Sequence, residues 1–420
     1  MKTAKKLILF ITVLTIASMI ILLSCKNRYM GPATRNIFDD GSGDYVLPAG
    51  YLTQEEQYEP LDPDSKAVVL FTGDNYRIPA LTITANKTIL AAVGTGTGQN
   101  HIAIKRSSDL GQTWTEVQAN YSDFNNMYTH PFFINGYDGS VLMGVATTNN
   151  KENKTIIYKS TDDGRTWNKL TDINTNSVNN GNVKVYNGHV TYGQGITLRH
   201  GNNANKLLFP YFFGTNDSEN GFTATMCSTD GGKTFTQLGS PYGKFTSHGT
   251  KFIELSDGNI LLHMTPTSGQ TYWMLSTNCG DTWVIKTSGN SETGTSKNNN
   301  SGKHADFTRY EFNGKDIKYR GEKYALMVVS KMHVNCYNVR MTLNDFGGGA
   351  GTFNNKYTYN KDFGTNTATD GGYPAITVLP DGTIATLTEE TNSIVFRRFN
   401  LSWLAGEDEY VDYDSDNILK

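Results

Sequence analysis

The sequence predicts an all-β chain built as a β-propeller. Two observations carry that expectation: a short phrase repeated four times, and a composition of turn formers and aromatics without long runs of helical period. The copies are Ser107-Ser108-Asp109-Leu110-Gly111-Gln112-Thr113-Trp114, Ser160-Thr161-Asp162-Asp163-Gly164-Arg165-Thr166-Trp167, Ser228-Thr229-Asp230-Gly231-Gly232-Lys233-Thr234-Phe235 and Ser276-Thr277-Asn278-Cys279-Gly280-Asp281-Thr282-Trp283. Their pattern is S-x-D-x-G-x-T-W, with Phe once for Trp and Asn once for Asp. The interval of about 50 to 70 residues accommodates one four-stranded blade and its loops. The 420 residues include 42 Gly, 23 Tyr and 20 Phe, and only 18% are charged. That mix suits many short strands and turns.

Each copy follows a short apolar or alternating run, at residues 102–104, 155–158, 223–226 and 272–275. Such runs read as strands. The Asp then caps nearby backbone N–H groups, the Gly takes positive φ, and the chain turns back as a hairpin. The Trp ring is expected to cover the apolar side of its own hairpin. On this reading the repeated Asp residues are turn formers and carry no chemistry. A fifth, degenerate copy is read at Leu343-Asn344-Asp345-Phe346-Gly347.

The ends are organised differently. Lys2, Lys5 and Lys6 precede an apolar stretch at 7–23, followed by Ser24-Cys25-Lys26. This is the layout of an export signal, and Leu22-Leu23-Ser24-Cys25 resembles a lipobox, which makes Cys25 the expected lipidation site. An uncleaved anchor is the alternative, although about 17 residues is short for a span. The expected organisation is a signal at 1–24, a polar tether at 25–64, the propeller at 65–406 and an acidic tail at 407–420. Such a protein is exported and held to a bacterial membrane by its lipid. Cys227, Cys279 and Cys336 can form at most one disulfide, and their spacing is no metal signature. A net charge of −3 gives no electrostatic reason to expect nucleic acid or an anionic membrane surface as partner. No cofactor is expected.

The repeated phrase resembles the Asp-box of the sialidase (neuraminidase) superfamily, and that resemblance implies six blades. Tyr76-Arg77-Ile78-Pro79-Ala80-Leu81 resembles the (F/Y)RIP motif, in which the Arg holds the substrate carboxylate. A guanidinium suits that task because its planar fork matches a carboxylate bidentately. Gly372-Tyr373-Pro374-Ala375-Ile376-Thr377-Val378-Leu379-Pro380-Asp381-Gly382-Thr383 resembles the strand that carries the sialidase nucleophile, which makes Tyr373 that nucleophile. A neutral phenol approaches an anionic anomeric centre with less repulsion than a carboxylate, provided a base takes its proton. Glu389 falls where the family places a carboxylate that braces the first Arg. The segments Gly193-Gln194-Gly195-Ile196-Thr197-Leu198-Arg199 and Phe252-Ile253-Glu254-Leu255-Ser256-Asp257-Gly258-Asn259-Ile260-Leu261-Leu262 also match, so the resemblance covers about residues 67–405.

The rest of the family's site is missing. No Asp or Glu lies between Ala80 and Arg106, where the acid/base Asp is expected. The slot of the glutamate that activates the Tyr reads Gly249, beside His248. The slots of the second and third Arg read Thr265 and Val334, with Arg199, Arg309 and Arg340 as the nearest substitutes. His101, His248, His263 and His333 stand close to these gaps. An imidazole can serve as acid and base near neutral pH, so His101 or His248 is the expected replacement. The alternative is that these are ordinary loop histidines. Three functions are therefore carried forward: an exo-α-sialidase acting on sialylated glycans, a glycan-binding surface lipoprotein without turnover, and a lyase acting on uronates from the same scaffold.

Overall fold

The computed structural model describes residues 48–406, apart from 74–75, 96–101, 118–127, 148–153, 175–176, 179–184, 216–220, 243–248, 265–270, 290–303, 320, 332–334, 344–358 and 367–371. The expected signal, Cys25 and the acidic tail lie outside these residues, as does most of the fifth copy of the repeat. The chain forms a six-bladed propeller, each blade built on four antiparallel strands.

Helix α1 (Gln54–Tyr58) and strand β1 (Val68–Thr72) precede the first blade. Blade 1 is β2 (Tyr76–Ile83), β3 (Ile89–Thr95), β4 (Ile102–Ser107) and β5 (Thr115–Glu116). Blade 2 is β6 (Tyr128–Asn135), β7 (Val141–Thr147), β8 (Thr155–Ser160) and β9 (Asn168–Ile173). Blade 3 holds β10 (Val185–Val190), then, after the short β11 (Gly193–Gln194), β12 (Ile196–Thr197), β13 (Leu207–Thr215), β14 (Gly221–Ser228) and β15 (Thr236–Tyr242). β11 itself pairs parallel to β6 of blade 2. Blade 4 is β16 (Lys251–Glu254), β17 (Ile260–Met264), β18 (Thr271–Ser276) and β19 (Val284–Gly289). Blade 5 begins with β20 (Ala305–Arg309), inserts the hairpin β21 (Glu311–Phe312) and β22 (Lys315–Asp316), and continues through β23 (Tyr324–Lys331), β24 (Cys336–Leu343) and β25 (Tyr359–Phe363). Blade 6 is β26 (Pro374–Val378), β27 (Ile384–Glu390) and β28 (Ser393–Phe399), and helix α2 (Leu401–Ala405) follows it.

β1 closes the ring. It pairs antiparallel with β28, Val68 opposite Phe396, so the first strand completes the last blade and leaves no open seam. Apolar residues between blades supply the core. Leu90 and Ala92 of blade 1 pack with Phe133 and Met143 of blade 2. Leu142 packs with Phe209 and Met226 across the next junction, Leu208 with Phe252 and Leu262 across the third, and Leu261 and Trp273 with Phe307 and Met327 across the fourth. Each completely buried aliphatic or aromatic side chain stabilises this stacking by about 1.5–3 kcal/mol.

The four repeats follow β4, β8, β14 and β18, the third strands of blades 1 to 4. In each, the Ser hydroxyl accepts from the box Gly N–H, and the Asp or Asn oxygen accepts from the Thr N–H; for Asp162 that bond to Thr166 is 2.9 Å. The Gly is required by the neighbouring blade as much as by the turn. A Cβ on Gly164 would stand 2.6 Å from Leu90 Cδ2, and one on Gly232 2.2 Å from Leu142 Cδ2. The residue before the Gly also takes positive φ: Leu110 (53°), Asp163 (57°) and Cys279 (62°). The Trp rings reach beyond their own hairpins. Trp114 lies edge-on to Phe396 of blade 6, and Trp283 packs on Tyr242 of blade 3. The boxes thus join blades, a role that one repeat's sequence does not disclose.

Residues 48–64, inside the segment read as a tether, pack against blade 6. Arg398 Nη1 donates to the Gly50 carbonyl at 2.6 Å, and Gln57 Nε2 to the Asp381 carbonyl at 2.9 Å. Asn400 Oδ1 accepts from Leu61 N and from Trp403 N, pinning this strap and capping α2 together. Asp64 ion-pairs with Arg397 at 2.7 Å. The folded unit therefore begins before residue 65. Two of the polar side chains that suggested a solvated linker, Gln57 and Asp64, are bonded to blade 6 instead. Cys227, Cys279 and Cys336 are free thiols.

Candidate active site

The inner strands β2, β6, β11, β16, β20 and β26 surround the axis. The starts of β2, β11, β16, β20 and β26 converge at one end. Arg77 is the second residue of β2, Lys251 the first of β16. Tyr192, His304 and Tyr373 immediately precede β11, β20 and β26.

Arg77 owes its direction to a β-bulge. The β2–β3 register shifts between Arg77 and Ala80, and Ile78 takes φ +56° there. A β-branched residue in the left-handed region is strained, and the bulge re-aims the side chain before it. Arg77 Nε donates to Glu389 Oε1 at 2.6 Å, and Ile78 N donates to Glu389 Oε2 at 3.3 Å. The Glu389 side chain is 7% exposed and that of Arg77 39%, so the carboxylate is the buried brace and the guanidinium remains in the mouth. Glu389 also donates its N–H to the Tyr373 carbonyl at 3.1 Å. Tyr337 donates its hydroxyl to the Glu389 carbonyl. Gly372, at φ +55°, leaves no room for a side chain, since a Cβ would stand 2.3 Å from the Tyr337 hydroxyl.

The Tyr373 ring is held by three neighbours. His304 stacks on it with centroids 3.7 Å apart and planes 30° from parallel. Tyr192 meets it edge-on at 4.7 Å and 87°. Arg77 Cζ stands 5.6 Å from its centroid, in cation–π range. Below Tyr192, Lys251 places its Nζ 3.9 Å from that ring's centroid and donates to the Tyr192 carbonyl. The same Nζ is 3.9 Å from Asp306 Oδ1. Burial lowers the Lys251 ammonium to about 8, with Asp306 opposing the shift. Burial likewise raises Asp306, with Lys251 opposing. Burial, then the proximity of Tyr373, raises the Tyr192 phenol well above its ordinary value. Lys251, Asp306 and Tyr192 are thus each biased towards the neutral form.

The structure brings Arg77, Glu389 and Tyr373 together. His101, His248 and His333, and with them Thr265 and Val334, lie outside the described residues. His263 is no site residue: it is fully buried in β17, 4.6 Å from Trp273 in ring contact and 6.0 Å from Phe307. Burial, with Arg340 and Lys251 nearby, lowers it to about 3. Arg309, the last residue of β20, pairs with Glu311 and Asp316 at the far end of the axis. Arg199 is there too, and both line a cavity of about 130 Å³ with Thr82, Asn135, Thr197 and Glu254. That cavity lies away from Tyr373, because its walls are the opposite ends of the inner strands. Arg340 is buried in β24, its Nε donating to Asn338 Oδ1 at 2.7 Å. Sequence reasoning missed Tyr192, Lys251, His304 and Asp306. Lys251 follows the empty Gly249 slot by two residues, which is the one local signal. His304 and Asp306 carry no motif. Among the described residues no group of His, Cys, Asp or Glu could hold a metal ion.

Residues 80–340 match the family described as BNR repeat-like domain. The chain belongs to this family. A sialidase of Micromonospora viridifaciens is 27% identical over 363 residues, covering 79% of this chain and 52% of that protein. The chain thus spans about half the length of the curated relative it matches. Among solved structures, the Hadza microbial sialidase Hz136 superposes with a TM-score of 0.62 at 19% identity, covering 79% of this chain and 67% of the other. The intramolecular trans-sialidase of Ruminococcus gnavus gives 0.60 at 15% identity, covering 80% and 96%. A protein of unknown function from Dyadobacter fermentans gives 0.54 at 12%, covering 80% and 97%. These likenesses place the BNR repeat-like propeller among sialidase-like folds, and proteins named sialidase and trans-sialidase share that fold.

Proposed function

We propose that this BNR repeat-like propeller is a sialidase-like glycosidase. It takes a terminal sialic acid of a glycan into the mouth at the start of the inner strands. The observation that carries the reading is the arrangement of Arg77: braced by Glu389, half-exposed, and over the ring of Tyr373. Arg77 meets the sugar carboxylate. The Tyr373 oxygen bonds to the anomeric carbon as the bond to the aglycone oxygen breaks, and the phenolic proton passes by way of a neighbouring base to the departing oxygen. A water molecule then releases the sugar and restores the phenol. His304, stacked on Tyr373, is an imidazole suited to proton handling beside it.

A second reading, a glycan-binding protein without turnover, is favoured by one observation. The groups beneath Tyr373 are a lysine and an aspartate paired with each other, where a free carboxylate base is expected. Hydrolysis of a fluorogenic α-sialoside, abolished by Tyr373→Phe, separates the two. Absence of turnover together with glycan-array binding that Arg77→Ala removes favours the binding protein. An unsaturated product from uronate polymers points instead to a lyase. Export with lipidation at Cys25 belongs to the same proposal and rests on the sequence 2–26. Metabolic labelling with a fatty-acid analogue tests it, and undiminished labelling of Cys25→Ser overturns it.

A further inference from the structure

Beneath Tyr373, two buried charges tie the inner edges of successive blades. Lys251 and Asp306 have side chains only 1% and 2% exposed. Lys251, from blade 4, donates to the Tyr192 carbonyl at the junction of blades 2 and 3 and lies against the Tyr192 ring. Asp306, from blade 5, accepts from the Ile376 N–H of blade 6 at 3.0 Å. Ile376 lies three residues beyond Tyr373, and Tyr192 is the ring that meets Tyr373 edge-on. One pair therefore reaches the reactive tyrosine by two routes, through its backbone and through its ring neighbour. The surrounding sequence is shaped to admit it. A Cβ on Gly193, at φ +101°, would stand 1.9 Å from Lys251 Nζ. Thr191 Oγ1 donates to the Thr250 carbonyl at 2.8 Å and adds a second tie at the same place.

A buried ion pair is a poor means of stabilising a fold. Desolvating both charges costs as much as their attraction returns, and apolar residues of similar volume often do as well or better. Its placement under the site asks for another reason. We infer that Lys251 and Asp306 are positioning residues that fix the location of Tyr373 through Tyr192 and Ile376. The inference rests on Tyr373 being the reactive group, but its test does not require sialidase activity.

The test is nitration of Tyr373 by tetranitromethane in the full chain, followed by mass spectrometry of its peptide, with Tyr373→Phe to confirm the assignment. Sialoside kinetics are measured in parallel. The variants are Lys251→Met, Asp306→Asn and the apolar pair Lys251→Met with Asp306→Leu, which removes both charges without stranding either. Arg309→Met, in the ion pair at the far end of β20, is the control for general destabilisation. The expected result is a change of about fivefold or more in the Tyr373 nitration rate in the single and double variants, with the control unchanged. If sialosides are turned over, kcat falls while KM, set at Arg77, holds. A double variant that matches the parent in nitration and kcat overturns the inference, as does a control that moves Tyr373 equally. Nitration that responds as expected in a protein inert towards sialosides upholds the positioning role and removes the hydrolase reading alone.

Discussion

The carboxylate of Glu389 holds Arg77 through a 2.6 Å ion pair in which the acid is buried and the guanidinium faces the mouth. The carboxylate therefore orients the guanidinium. Replacing Glu389 by Gln keeps the shape and removes the charge. Because Arg77 is partly solvated, the penalty is smaller than for a wholly buried pair. A loss of roughly 1.5–3 kcal/mol in binding of a carboxylate-bearing sugar is expected. Calorimetric titration with sialic acid checks it, and an unchanged affinity contradicts the brace.

Tyr373→Phe removes one oxygen and leaves the ring between His304, Tyr192 and Arg77. Turnover of an α-sialoside is expected to fall by at least about 10²-fold, with ligand binding and thermal stability retained. Single-turnover kinetics with thermal unfolding make the comparison, and residual activity near the parent level rules out Tyr373 as nucleophile.

Burial of His263 gives the propeller a pH dependence of stability. Its folded value is about 3, and an unfolded histidine titrates near about 6.5. The unfolded chain takes up the proton first. Stability contributed by this neutral, buried ring is therefore present above about pH 6.5 and is lost as pH falls towards 3, at up to about 1.4 kcal/mol per pH unit. His263→Leu is expected to flatten that slope. Urea unfolding at about pH 7 and about pH 5 gives the difference, and an equally steep loss in the variant excludes His263 as its source.

Asp230 tests the repeated box. Its carboxylate accepts from Thr234 N at 3.0 Å and from the Thr234 hydroxyl, and although its burial acts the other way, these bonds with those from Ser228 and Lys233 hold it down at about 2. Asp230→Ala is expected to cost about 1–3 kcal/mol of stability and to leave kcat and KM unchanged. The contribution persists above the unfolded carboxylate value and disappears as pH falls through about 2. Altered kcat with intact folding means that the box reaches the site.

The architecture was legible because it repeats. Ser, Asp, Gly and Thr in the boxes interact within five or six residues, so their hydrogen bonds follow from spacing alone. Arg77, Tyr373 and Glu389 were found through short local patterns around each. The bulge at Ile78, which turns Arg77 into the mouth, has no such pattern, nor does the packing of residues 48–64 on blade 6.

What the sequence determined by itself is the propeller, its boxes and the three residues that meet at the mouth, since each depends on near neighbours in the chain. Only the tertiary structure decided that His263 is core, that Arg309 belongs to the opposite end of the axis, and that Tyr192, Lys251, His304 and Asp306 gather around and beneath Tyr373. They come from three separate stretches of the chain, with His304 and Asp306 together at the start of blade 5. Their meeting depends on how the inner strands close about one axis, a relation between distant segments that no local spacing encodes.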